Sequence, residues 1–396
     1  MDYGPLLNPR AAAVPPSGIR KFFDLVSEMP EAISLGVGEP DFVTPWGIRT
    51  AAIDSLTDGL TQYTSNWGRV ELRRLIAQYM GARFGVNYSP TDEILVTIGA
   101  SEGIDLALRA LVQPGAEVLI PEPAYVSYAP GVVFAGGTPV AIPTRAEDEF
   151  RLTPAALRAA LSPHVKALIL PYPNNPTGAM LRPQDAQALA DVLRGTDVLV
   201  IADEIYAELT YGGYTHTCFA SLPDMWQRTV TLNGFSKAFA MTGWRVGYAC
   251  GPREILALMC KIHQYTIMCA STQGQIAAEA ALRAGLEDGF ADVRAMVASY
   301  DRRRRLMVTA FRGMGLDCFE PLGAFYVFPS IGRTGLTAQA FCEGLLRAEQ
   351  VACVPGDAFG ASGQGHIRCC YATALDKLQE ALRRIRRYVE GLEGTR

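Results

Sequence analysis

The stretch TLNGFSKAFAMTGWRVGYACGP, residues 231–252, decides how the rest of this chain is read. A β-like run from Thr229 to Leu232 leads into it and breaks at Asn233-Gly234. The Ser236 hydroxyl, the Lys237 amine and the Arg245 guanidinium follow. A lysine just past a strand end, with a serine before it and an arginine close by, suits an amine that forms a Schiff base while a phosphate is held alongside. A bare Ser-Lys pair is more often an exposed polar turn. What surrounds the pair reverses that balance.

From residue 94 the sequence alternates strand and helix, the pattern of a mostly parallel sheet with helices on both faces. The strand ILVTI runs into Gly99-Ala100-Ser101-Glu102 and a helix, whose free N–H groups and dipole favour an anion. EVLIP leads to Tyr125, KALILPYP to Asn174-Asn175-Pro176-Thr177-Gly178, DVLVIAD to Asp203, and RTVTL to Lys237. In open α/β sheets ligands sit beyond the carboxyl ends of the strands. A serine turn, a tyrosine, an asparagine, an aspartate and a lysine at five such ends form a set that independent loops would not supply.

Outward from this core, residues 1–18 read as a Pro-, Gly- and Ala-rich arm, and a helical apolar period starts at Ile19. ISLGVGEPDFVTP follows, with Gly36 and Gly38 able to bring backbone close to a ligand. Tyr63, Asn66 and Trp67 fall in a loop that reads as exposed, marking an interface or a site. Past Pro252 the sequence turns helical, with a long helix near 287–313, and it ends in an α+β pattern. We expect an arm and part of a small domain over 1–44, a large domain over 45–285 and a small C-terminal domain over 286–396.

Composition narrows the function. The 396 residues are 49% hydrophobic and 19% charged, with a formal net charge of -4, so nothing draws the chain to nucleic acid or an anionic membrane. The arginine run 302–305 reads as a solvated helix face. Nine scattered cysteines and four histidines have no metal-ligand spacing, and no apolar run approaches the ~18 residues that span a bilayer. The expectation is a cytoplasmic protein without a metal.

Lys237 taken with Asp203 suggests pyridoxal 5'-phosphate. That cofactor needs a lysine for its aldehyde, an acid to keep its ring nitrogen protonated, donors for its phosphate and an aromatic face for its ring. Tyr206 and Asn175 could donate to its phenolate oxygen.

The motifs SLGVGEPDF, NNPTG, ADEIYAEL, FSKAFAMTGWRVGYACGP and HIRCCYATALDKLQEAL occur in this order. Together they resemble the class I pyridoxal-phosphate aminotransferases of fold type I, over essentially the whole chain. The opening looks most like the branch with bacterial and archaeal aspartate and aromatic aminotransferases. The resemblance implies an α/β fold type I transferase with a mostly parallel sheet in its large domain and a smaller α+β domain. It implies Lys237 as Schiff-base lysine and proton shuttle, Asp203 on the ring nitrogen, and Asn175 and Tyr206 on the phenolate oxygen. Tyr125 would stack on the ring. Ala100, Ser101, Ser236 and Arg245 would hold the phosphate, joined by Tyr63 from a second subunit of a homodimer with shared active sites. Arg368 would grip the substrate α-carboxylate, with the Gly38 backbone and Asn175 beside it. Cys369-Cys370 departs from the family, where an aliphatic residue and serine are commoner. Glu102 receives no role, and Arg20 and Trp67 stand between substrate contact and structure.

The implied activity moves an amino group from an amino acid, aspartate or aromatic, to a 2-oxo acid such as 2-oxoglutarate. A lyase or synthase on the same fold is one alternative. A non-catalytic regulator domain is another, although no helix-turn-helix extension precedes residue 19.

Overall fold

The structure, a computed structural model, describes residues 1–16, 18, 29 and 31–393. Arg20 and the helix expected from Ile19 lie outside the described residues. The strands are β1 (Ile33–Ser34), β2 (Ile94–Thr97), β3 (Glu117–Glu122), β4 (Thr138–Pro143), β5 (Val165–Leu170), β6 (Leu199–Asp203), β7 (Thr229–Gly234) and β8 (Gly247–Cys250). Four short ones follow: β9 (Tyr326–Val327), β10 (Val351–Ala352), β11 (Val354–Pro355) and β12 (Ile367–Cys370).

β2 to β8 form one sheet in the order β2-β8-β7-β6-β5-β3-β4. Only β8 runs against its neighbours in that sheet; the other pairings are parallel. The sequence explains why this sheet is covered on both sides. Alternate residues of each strand enter different cores, as the two-residue period of a strand requires. Val118, Ile120, Ala167, Ile169, Ile201, Val230 and Leu232 pack with helices Gly99–Leu111 and Arg253–Thr266. Leu119, Leu168, Leu170, Val200 and Ala202 face the other way, onto Leu157 of helix Pro154–Ala160 and Leu189 of helix Pro183–Leu193. The result is an α/β fold with a mostly parallel central sheet.

A separate core gathers Tyr300, Phe311, Phe325, Tyr326, Phe341, Cys369, Cys370 and Ile385. Its antiparallel sheet has the order β11-β12-β9. The early strand β1 joins this part of the molecule by pairing in parallel with β10, Ile33 opposite Val351.

Two expectations change. The long helix read near 287–313 begins at Ala291, after a separate helix Thr272–Asp288. Gly289 and Phe290 between them take the left-handed conformation, with φ of 70° and 62°, which ends one helix before the next starts. The arginine run is not wholly solvated either: Arg303 and Arg304 are buried. Arg303 Nη1 donates to Asp41 Oδ1 at 2.8 Å, and Arg304 Nη1 to Glu320 Oε1 at 2.6 Å. A run of four spans more than one helical turn, so its members divide between the buried and exposed faces. Among the described residues no helix is long and apolar enough to cross a membrane.

Candidate active site

Beyond the carboxyl ends of β5, β6 and β7 lies a cavity of about 540 Å³. Gly38, Ala100, Ser101, Tyr125, Asn175, Asp203, Tyr206, Ser236, Lys237, Arg245 and Arg368 all line it. Of the residues chosen from sequence, Tyr63 does not; its side chain is 82% exposed. A second cavity of similar volume lies between Trp46, Phe239, Ala281 and Met296; among the described residues its charged lining is Asp288 and Asp292, with no lysine, cysteine or serine.

Lys237 follows β7 across the break at Gly234. Its Nζ donates to the Gly38 carbonyl at 2.7 Å and sits 5.7 Å from the Tyr206 ring and 5.6 Å from the Phe325 ring. Burial pushes the amine down to about 8, aided by Arg368 and Arg245 and opposed by Cys370 and Glu39. A lysine in that range carries a usable fraction of neutral amine near neutral pH.

Asp203 ends β6, and its side chain is buried. Tyr128 donates its hydroxyl proton to Oδ2 at 2.7 Å, and the Ile205 N–H reaches Oδ1 at 3.3 Å. Burial pushes this carboxyl above the usual range, while those two hydrogen bonds pull it back. A cation brought opposite would restore the charged form.

Arg368 on β12 is also buried. Its Nη1 donates to Asn175 Oδ1 at 2.8 Å and its Nη2 to the Gly36 carbonyl at 2.5 Å. The guanidinium lies 4.7 Å from the Tyr326 ring and 4.7 Å from the Phe359 ring. Its Nε is buried with no partner, and no carboxylate of the described residues pairs with it. A buried cation whose neighbours are neutral is poised for an anionic ligand.

Arg245 lines the same cavity and crosses the start of helix Gly99–Leu111. Arg245 holds φ at 52°, a left-handed conformation costing about 1 to 3 kcal/mol for a non-glycine residue. Its Nη1 donates to the Thr242 carbonyl at 2.9 Å. Gly99 holds φ at 70°, and a Cβ on it would lie 2.6 Å from Arg245 Nη2, so a side chain there would push the guanidinium off the start of helix Gly99–Leu111. Gly247 is required for a similar reason: its Cβ would stand 2.5 Å from the Gly99 carbonyl carbon. Ala100, Ser101 and Ser236 complete the wall.

Three residues stand differently from their reading in sequence. Glu102, given no role, accepts the Ile98 N–H at 2.5 Å and meets His263 Nδ1 at 2.7 Å. It therefore pins the turn before the helix to helix Arg253–Thr266 and does not line the cavity. Trp67 is half-buried on the core that includes Leu95 and Ile104 and does not line the cavity. Tyr326, not singled out from the sequence, lines the cavity and meets the Tyr206 hydroxyl at 2.8 Å. Nothing in GAFYVFPS separates it from a core residue, because its partner lies 120 positions earlier.

Comparison with known proteins identifies the family. The profile of the family "Aminotransferase class I and II" matches residues 30–385. An aspartate aminotransferase of Pyrococcus abyssi is 45% identical over 96% of this chain and 97% of its own length. Aromatic-amino-acid aminotransferase 2 of Thermococcus litoralis is 42% identical over 97% of this chain and 98% of its own. A crystal structure of an aromatic aminotransferase from Pyrococcus horikoshii superposes with a TM-score of 0.90 at 44% identity, covering 95% of this chain and 99% of that one. With lysine, aspartate and arginine gathered at the strand ends of a fold these proteins share, the chain belongs to the class I and II aminotransferases.

Proposed function

We propose that this aminotransferase transfers an amino group from aspartate or an aromatic amino acid to a 2-oxo acid such as 2-oxoglutarate, holding pyridoxal phosphate on Lys237. The observation that carries the reading is the convergence of Lys237, Asp203 and the anion-free Arg368 in one cavity. The donor set fits the cofactor. A carboxyl that burial has pushed up awaits a protonated ring nitrogen, a helix start with an arginine across it awaits a phosphate, and a buried guanidinium awaits a carboxylate.

When bound, the cofactor supplies an electron sink for the bond broken at the substrate α-carbon. The protein's residues then have distinct tasks. Lys237 would be the amine that holds the cofactor's aldehyde, and its neutral Nζ would accept and return the proton that moves at the substrate α-carbon. Asp203, oriented by Tyr128, would hold the ring nitrogen. Tyr206 and Asn175 would serve the phenolate oxygen, and Tyr125 would offer its ring face. Ala100, Ser101, Ser236 and Arg245 would hold the phosphate at the helix start. Arg368 orients the substrate by its α-carboxylate, with Gly38 backbone and Asn175 at its side.

A panel of amino acids added singly, followed at the cofactor absorbance, tests the reading. Aspartate or an aromatic amino acid should convert the cofactor stoichiometrically, and 2-oxoglutarate should restore it. Release of an oxo acid without a second substrate would instead favour elimination. No conversion by any amino acid would leave only cofactor binding.

We also read the molecule as a homodimer with shared sites, divided near residues 44 and 285 into an arm, a large cofactor domain and a small C-terminal domain. The separate core around Tyr300, Phe325 and Phe341 supports the division. Exposed Tyr63, Val43 and Trp46 support the dimer. If Tyr63 reaches a second copy's phosphate, mixing Tyr63→Phe chains with Lys237→Ala chains should give activity above the sum of the two preparations. Full activity in a dilute monomer would end this reading. Nine free cysteines, eight of them buried, suit a cytoplasmic location.

A further inference from the structure

We propose that Tyr326 is a positioning residue: it donates its hydroxyl proton to Tyr206, and so turns the Tyr206 proton into the cavity toward the cofactor's phenolate oxygen. The inference rests on the reading above, in which Tyr206 serves that oxygen.

The two hydroxyls are 2.8 Å apart, and both side chains are buried. The rings meet edge to face, 5.9 Å between centroids and 77° between planes. Burial raises both phenols, so each keeps its proton. Two protonated hydroxyls in one hydrogen bond leave a single proton to point elsewhere. Which hydroxyl keeps that free proton decides whether Tyr206 can donate into the cavity.

Two surroundings favour Tyr326 as the donor to Tyr206. A Cβ on Gly38 would lie 2.3 Å from the Tyr326 hydroxyl oxygen, so that oxygen is packed against the Gly38 α-carbon and has little room to aim its proton outward. The Tyr326 ring lies 4.7 Å under the Arg368 guanidinium, and a cation over the ring makes the phenol the better donor. A donated hydrogen bond polarises the acceptor hydroxyl and strengthens its own donation onward. Tyr326 thus ties the group that would serve the phenolate to the arginine that would take the substrate carboxylate.

Tyr326→Phe keeps the ring under Arg368 and removes only the hydroxyl. In the holoenzyme, the pH midpoint of the cofactor's visible absorbance should rise by about half to one unit. A weaker Tyr206 hydrogen bond favours the phenolate, and hence the deprotonated chromophore, less. The KM for amino acid should move little, whereas Tyr326→Leu, which removes the ring as well, should raise both. Tyr206→Phe should raise the midpoint at least as far, and adding Tyr326→Phe to it should change nothing further. A shift in Tyr206→Phe with none in Tyr326→Phe overturns this inference and leaves the proposed function standing. Additive shifts in the double variant also overturn it, since Tyr326 would then act independently. No shift in either variant refutes Tyr206 as the phenolate donor, and the inference falls with it.

Discussion

Lys237→Ala should bind pyridoxal phosphate without the visible absorbance of its lysine adduct and should lose nearly all turnover. Loss of the proton transfer alone is worth about 10²- to 10⁴-fold, and the loss of covalent attachment adds to it. Among the described residues no other lysine lines the cavity. The same residue sets a pH dependence. With the amine depressed to about 8, its neutral fraction falls about tenfold per pH unit below that value and levels off above it. The rate at which cofactor-free protein captures pyridoxal phosphate should follow that curve. An ordinary lysine would keep the rate rising to about 10. Stopped-flow absorbance measures it, and wild-type turnover in Lys237→Ala would remove the lysine from the chemistry.

Arg368→Leu should be the most damaging change on the substrate side. Truncating one partner of a buried, charge-assisted pair costs about 2 to 5 kcal/mol, or about 30- to 5,000-fold in kcat/KM. The loss should fall on every amino acid alike, because the α-carboxylate is common to all. It also strips Asn175 Oδ1 and the Gly36 carbonyl of the donors they now have at 2.8 and 2.5 Å. A steady-state comparison of acidic and aromatic substrates checks this. A loss confined to acidic ones would place Arg368 against the side-chain carboxylate instead.

The sheet was legible because its signals are local. KALIL and DVLVIAD are apolar on both alternating faces, and such strands persist only when covered on both sides. Polar residues just past these strands had to converge, since parallel strands place their carboxyl ends at one edge of a sheet. Asn175, Asp203 and Lys237 were therefore identifiable from type and position. The split of the arginine run and the break at Gly289-Phe290 were not. Charge density says nothing about which helical face meets Asp41 or Glu320, and a glycine-phenylalanine pair stops a helix only when its neighbours hold it left-handed.

By itself, then, the sequence determined a covered parallel sheet and a row of chemical groups along its edge, because strand period and strand polarity are properties of adjacent residues. Only the tertiary structure decided which distant groups complete them. Tyr326 reaches Tyr206, Glu102 turns to His263, and Arg368 rests on Asn175 and Gly36 with its Nε unpartnered. These contacts join residues 120 to 332 positions apart. They depend on how one core packs against another, and no short stretch of sequence encodes that packing.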